Sequence, residues 1–371
     1  MYPSDLESEV AAAARVMGGT DAVVFLCDYD QRDLVAFDEG GPTYPIDDSP
    51  PGDAFRLDRV VEEQLDDRRR RLWVPVRDSS EREGVLGVSD DGSVPIENWI
   101  ALASLVGELV ASKQEYGDHI TVRRRREKFS PAAEMRWAML PPLTFTSPDV
   151  TITGFLQPTD KIGGDAFDYA VTGRSAAVAV FDALGHGLEA SRIANLAVGT
   201  YRNCRRNGDD IVTTLATIDR TIEEQFGDSA FVTAQLATLD LDTGALEVVN
   251  AGHPLPLQLR KGTAAEEIPC PPTAPAGLGC EPAITRVQLD PGDAVLFRTD
   301  GVVDARSPGG EDFSEKQLIE LVDRLMDSQL QPSEVLRQTV HAIVEHRDVR
   351  VGDDATLLLL AWKRPEPGPT E

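Results

Sequence analysis

Apolar and polar positions along this chain follow two periods. Over residues 6–17, 188–206, 211–226, 314–326 and 332–346 apolar residues recur every three to four positions, which predicts helices with one buried face. Over residues 22–29, 32–38, 71–77, 84–90, 151–157, 176–181, 231–240, 245–250, 284–289, 294–298 and 355–362 the runs are short and apolar. They are bounded by Gly, Pro, Asp and Asn, which predicts strands.

These elements fall into blocks. Residues 1–115 read as helix, hairpin, helix, hairpin, helix. Gly18-Gly19 closes the first helix, a Pro- and Asp-rich loop (40–52) precedes an inner helix over 53–65, and a helix over 97–113 ends the block. Residues 116–146 form a helical linker in two pieces, because Ser130-Pro131 reads as the N-cap and first position of a new helix over 132–140. Over residues 147–364, long helix pairs are inserted between runs of strands. A doubly wound parallel sheet would alternate strand and helix singly, so this block is expected to be an α+β fold: an antiparallel β-sandwich flanked by helix pairs. Asp242-Thr243-Gly244 supports antiparallel pairing as a hairpin turn, and residues 365–371 read as a flexible tail.

Composition narrows the function. The chain has 371 residues and 41% hydrophobic content, enough for buried cores in two or more globular domains. A net charge of −27 argues against a general nucleic-acid or anionic-membrane binder, since both need dense Lys and Arg. Cys27, Cys204, Cys270 and Cys280 are widely spaced, which suggests neither a disulfide framework nor a zinc site; Cys27 reads as a small buried hydrophobe on an apolar strand. No apolar run approaches the roughly 20 residues of a membrane span, and the acidic start lacks a signal peptide's basic region, so a cytoplasmic protein is expected. The run Arg123-Arg124-Arg125-Arg126 reads first as a solvated face pairing with acids elsewhere in the chain and, more sharply, as a docking patch for an anionic partner; Arg68 to Arg71 read as a charged strand entry.

The chemistry lies in four carboxylates bordered by glycine: Gly163-Gly164-Asp165, Asp182 to Gly187 (DALGHG), Thr299-Asp300-Gly301 and Gly352-Asp353-Asp354. Any one of them is most simply a turn. All four, however, border predicted strands, and hard divalent cations need oxygen ligands gathered from several strand ends. The flanking glycines let backbone approach closely.

In this order GGDAFDY, FDALGHG, NAGHPLPL, FRTDGVVDA and GDDATLLLL resemble the motifs of type 2C metal-dependent serine/threonine phosphatases, specifically the bacterial SpoIIE-type branch, over about residues 140–362. The segments PAAEM (131–135) and LPP (140–142) resemble the lead-in helix of that branch, and the order of elements in residues 1–115 resembles a GAF sensory domain.

The resemblance implies two divalent cations, Mn²⁺ or Mg²⁺. Asp182 would bridge them and the carbonyl of Ala183 would ligate one, with Asp165, Asp300 and Asp353 completing the shells and Asp354 as an adjacent alternative. Two cations about 3.5 to 4 Å apart can activate a water and neutralise the phosphoryl oxygens. His186 is the candidate to protonate the leaving group, and it can equally hydrogen-bond locally. His253 reads as a hydrogen-bonded loop histidine, while Arg174 and Arg192 are phosphate candidates by charge alone and otherwise solvated.

The implied partners are a phosphorylated protein of the anti-anti-sigma type and an unidentified small ligand at the GAF-like domain. Linker helices could pair into a homodimer, although Gly107, Gly117 and Pro131 interrupt a long heptad run. Two competing readings are a non-catalytic module that keeps the fold to bind a partner and a hydrolase of small phosphoesters.

Overall fold

A computed structural model describes residues 2–66, 69–157, 163–302, 315–328, 330–346 and 355–363. The chain separates into two compact units, residues 1–128 and 129–371. Among the described residues, no helix is long and apolar enough to cross a membrane.

The first unit contains α1 (Leu6–Met17), β1 (Thr20–Cys27), β2 (Asp33–Ala36), β3 (Thr43–Pro45), α2 (Pro50–Leu57), β4 (Val61–Gln64), β5 (Arg70–Asp78), β6 (Glu81–Asp90), α3 (Ile96–Gln114) and α4 (His119–Arg124). Its strands form one antiparallel sheet in the order β3-β2-β1-β6-β5-β4. One face packs on α1 and α3 through Leu6, Val10, Trp99, Val106 and Val110; the other packs on α2 through Phe25, Phe55 and Trp73.

Two expectations change here. The inner helix is shorter than 53–65. The Ser49 hydroxyl caps it and Pro50 and Pro51 open it, but Asp58 ends it in the left-handed conformation (φ 53°), and the following Val61 to Gln64 alternates half-buried and exposed as an edge strand. The arginine run is not a free docking patch; it pairs with acids elsewhere, as its first reading has it, and only Arg126 stays exposed. Arg123 donates to the Ala36 carbonyl at 2.7 Å, the half-buried Arg124 pairs with the buried Glu83, and Arg126 lies 3.4 Å from Asp33. These contacts fasten α4 to the first unit.

The second unit opens with α5 (Pro131–Trp137), where Ser130 accepts from Ala133 N–H as the predicted N-cap. There follow β7 (Thr144–Thr146), β8 (Val150–Gln157), β9 (Gly163–Thr172), β10 (Ser175–His186), α6 (Gly187–Asn207), α7 (Ile211–Phe226), β11 (Val232–Asp240), β12 (Ala245–Ala251), β13 (Leu257–Leu259), β14 (Glu266–Glu267), β15 (Thr285–Gln288), β16 (Ala294–Arg298), α8 (Glu315–Asp327), α9 (Pro332–His346) and β17 (Ala355–Trp362). Two antiparallel sheets, β15-β12-β11-β10-β9 and β14-β13-β16-β17-β8-β7, face each other, with α6 and α7 outside the first and α8 and α9 outside the second.

Side-chain alternation builds these layers. In β17, Leu358, Leu360 and Trp362 enter the core between the sheets, while Leu357 and Leu359 pack toward Leu318, Val322, Leu336 and Val340 of α8 and α9. This strand is therefore apolar without interruption. In β10, Val178 and Val180 face the opposing sheet, while Ala179 and Phe181 face Ile193, Val198 and Tyr201 of α6. The Asp242-Thr243-Gly244 turn forms as expected: the Asp240 carboxylate accepts from the N–H groups of Asp242 (3.0 Å) and Thr243 (2.8 Å), and Gly244 takes φ 74°.

Candidate active site

Strand β9 was not anticipated, because GGDAFDY reads as a loop carrying Asp165. It is a ten-residue strand, with Asp165 as its third residue and Phe167 beneath the opposing sheet. Asp182 likewise lies within β10 rather than at its end, because the strand continues to His186.

Antiparallel register sets Asp165 directly opposite Asp182. Asp165 shares its face with Phe167, and Asp182 shares its face with Val178 and Val180, so both carboxylates lie on the side that faces the other sheet. Asp165 is 3% exposed. Just past Asp182 the register shifts, and His186 rather than Leu184 pairs with Gly163. This bulge lets β10 turn into α6, and Gly185 (φ 91°) and Gly187 (φ 71°) take the left-handed conformations that it needs. Gly164 meets a different demand: a Cβ there would lie 2.1 Å from the Ala183 carbonyl oxygen. Backbone is thus packed on backbone beside the two aspartates.

The second sheet contributes through Thr299. Its N–H donates to the Thr356 carbonyl (3.1 Å) and its Oγ1 accepts from Thr356 N–H (3.1 Å), which extends the β16–β17 ladder by one residue. The Thr299 hydroxyl then donates to Asp165 Oδ2 at 2.6 Å. Asp300, itself exposed, follows in a 3₁₀ turn (Asp300–Val302) whose Gly301 and Val302 are buried. The carboxylates of β9 and β10 and the TDG motif of the other sheet therefore meet where the sheets converge. Asp353 and Asp354 lie outside the described residues.

Three supporting residues escaped the sequence reading. Arg136 of α5 is buried and donates to the Gly163 carbonyl at 2.8 Å, so the lead-in helix holds the start of β9. Thr233 stands opposite Asp182 on β11, where its hydroxyl donates to the Asp182 carbonyl (3.4 Å) and hydrogen-bonds Nδ1 of His253 (2.7 Å). Thr299 is the third. Such hydroxyls and a basic residue on a short helix give no periodic signal.

His253 is the hydrogen-bonded loop histidine that the sequence suggests. The Asn250 side chain clamps its N–H and carbonyl, each at 2.8 Å, and burial, with the nearby Arg298 charge, pushes its pKa down to about 3. It buttresses β11 as a neutral imidazole. His186 is exposed at the entry to α6. Arg174 pairs with Asp149 and with Asp242 (2.7 Å) on the surface, and Arg192 lies over the Phe226 ring, so neither serves the aspartate pair.

The fit to divalent cations rests on the donor type and its placement. Among the described residues, no three His, Cys, Asp or Glu side chains form a closed metal cluster. What they supply is oxygen donors only, two of them paired across strands with close backbone at Ala183, which suits Mg²⁺ or Mn²⁺ rather than a soft metal.

Residues 172–363 match the family described as Stage II sporulation protein E (SpoIIE). The chain belongs to the SpoIIE family. Within that family it is a serine/threonine protein phosphatase. It is similar to phosphoserine phosphatase RsbU of Bacillus subtilis (strain 168), with 22% identity over 281 residues covering 73% of this chain and 82% of RsbU. Its fold resembles the RsbU and RsbW domains of Rv1364c from Mycobacterium tuberculosis (TM-score 0.53, 25% identity, 61% of this chain and 63% of that one). It also resembles the SiaA PP2C domain of Pseudomonas aeruginosa (TM-score 0.50, 22% identity, 57% and 85%). The chain thus spans less than two thirds of the mycobacterial protein's structure. The matched family segment begins at Thr172, the last residue of β9, so Asp165 lies before it and is paired with a matched strand.

Proposed function

We propose that this SpoIIE-family phosphatase removes phosphate from a phosphoserine or phosphothreonine on an anti-anti-sigma-type regulator in the cytoplasm, under control of its N-terminal unit. The observation that carries this reading is the facing pair Asp165 and Asp182 between two sheets, with Thr299 of the second sheet donating to Asp165. Asp182 would bridge two divalent cations, Mn²⁺ or Mg²⁺, aided by the Ala183 carbonyl, Asp165 and Asp300. Asp353 or Asp354, which directly precede β17 in sequence, would complete the set.

Cations held there would supply Lewis-acid polarisation of the phosphoryl oxygens and a lowered pKa for the attacking water. The chain's own contribution is geometric. The β9–β10 register fixes the spacing of the carboxylates, the Thr299 hydroxyl fixes the rotamer of Asp165, and the Thr233–His253 pair holds the backbone at Asp182. His186, exposed at the start of α6, would be the proton donor in this scheme.

Control from the N-terminal unit is supported by two facts: α4 is fastened to that unit, and α5 holds the Gly163 carbonyl through Arg136. A small ligand at the GAF-like unit, or pairing of two chains through the linker, would act along this route. The test is Mn²⁺-dependent dephosphorylation of a serine-phosphorylated protein by the wild type and Asp182→Ala. Loss of activity in the variant is expected, and equal rates would overturn the assignment.

A further inference from the structure

A phosphoserine holds its phosphorus only a few covalent bonds from its own main chain. To bring that phosphorus to the buried Asp165 and half-buried Asp182, the surface around the phosphoserine must lie against the residues that flank Asp182. Those residues include two exposed leucines, Leu184 (46% exposed) and Leu188 (51% exposed), on either side of His186. Neither is on a fraying end. The N–H of Leu184 donates to the Phe231 carbonyl at 3.0 Å, and Leu188 sits in the first turn of the 21-residue α6.

A single exposed leucine is ordinary. Two on one bulge-to-helix junction, held by ordered backbone beside the carboxylates, are used neither by the core nor by the chemistry. Outside the cation site, the chain's overall charge of −27 adds no long-range attraction for an anionic phosphoprotein.

We propose that Leu184 and Leu188 form an apolar docking rim that covers a hydrophobic patch beside the phosphoserine of a folded protein substrate. The rim selects phosphoserine presented by a folded protein over small phosphoesters. This rests on the phosphatase reading above.

The experiment compares the full chain with Leu184→Gln, Leu188→Gln and Leu188→Met in Mn²⁺. The two substrates are p-nitrophenyl phosphate and a folded, serine-phosphorylated anti-anti-sigma protein. Each glutamine variant is expected to lower kcat/KM for the phosphoprotein about tenfold through KM, the scale expected for losing a buried leucine contact. Hydrolysis of p-nitrophenyl phosphate should change less than about twofold, and Leu188→Met should keep the wild-type value. An equal loss on both substrates, or no loss on the phosphoprotein, overturns the rim. So does a change in oligomeric state in sedimentation, since the leucines would then cover a second copy of the chain. A wild type that cleaves p-nitrophenyl phosphate but not the phosphoprotein would instead defeat the substrate reading, and that result appears before any variant is made.

Discussion

Thr299→Val removes one hydroxyl and keeps the side chain's shape, and the structure lets its cost be worked out. Thr299 is fully buried, Asp165 nearly so. The substitution deletes the 2.6 Å hydrogen bond to the Asp165 carboxylate, about 1.5 to 3 kcal/mol for a bond to a charged group. It also strips the buried Thr356 N–H of its 3.1 Å acceptor, costing about 1 to 3 kcal/mol. A loss of roughly 2.5 to 6 kcal/mol follows, which for a unit of this size lowers Tm by about 5 to 24 °C.

Asp165 also loses the hydroxyl that helps to set its rotamer. Outer partners of metal ligands are typically worth about 10- to 100-fold in affinity, so Mn²⁺ binding should weaken by that order. Calorimetric melting gives the first quantity and Mn²⁺ titration the second, with Thr299→Ser as the control that keeps the hydroxyl. If Thr299→Val binds Mn²⁺ as tightly as the wild type while melting lower, Thr299 only supports the fold, and its role in aiming Asp165 is refuted.

Two further predictions concern the N-terminal unit. Arg124→Ala leaves the buried Glu83 without its guanidinium and should destabilise that unit by about 3 kcal/mol, read as a lower first transition in urea unfolding while the phosphatase transition stays in place. Burial, reinforced by Asp38, raises the Glu7 pKa to about 7. Because the folded state holds this proton more tightly than the unfolded state, the contribution is present below about pH 4.5 and lost as pH rises through about 7. Glu7→Gln should therefore raise Tm at pH 8 relative to the wild type, and the advantage should vanish at pH 4.5; an equal gain at both would show that proton linkage is not the cause.

The layers of the catalytic unit were legible because their periods are clean. β17 reads as a doubly buried strand, α7 runs over the predicted 211–226, and the DTG turn dictates its own hairpin. The first aspartate motif was harder. GGDAFDY begins with two glycines, which signal a loop, yet here they permit close packing against Ala183, and the strand's stability comes from pairing with β10. The partners of the arginine run were hidden for a related reason. Composition records its charge, while its partners, Ala36, Glu83 and Asp33, lie 41 to 93 positions away and become neighbours only in the folded sheet. Thr299 and Thr233 are ordinary strand residues by propensity, and only the packing of the two sheets brings one to Asp165 while register sets the other opposite Asp182.

Strand β17 has a consequence for how such a catalyst can change over generations. Leucines occupy both of its faces, and the same strand carries Thr356, whose N–H and carbonyl lock Thr299, which in turn aims Asp165. Lineages are therefore barred from adjusting the hydrolytic centre through this strand, because almost any replacement there injures the whole unit. Novel specificities must arise at the mouth, where side chains such as Leu184 and Leu188 can vary while the reaction stays the same.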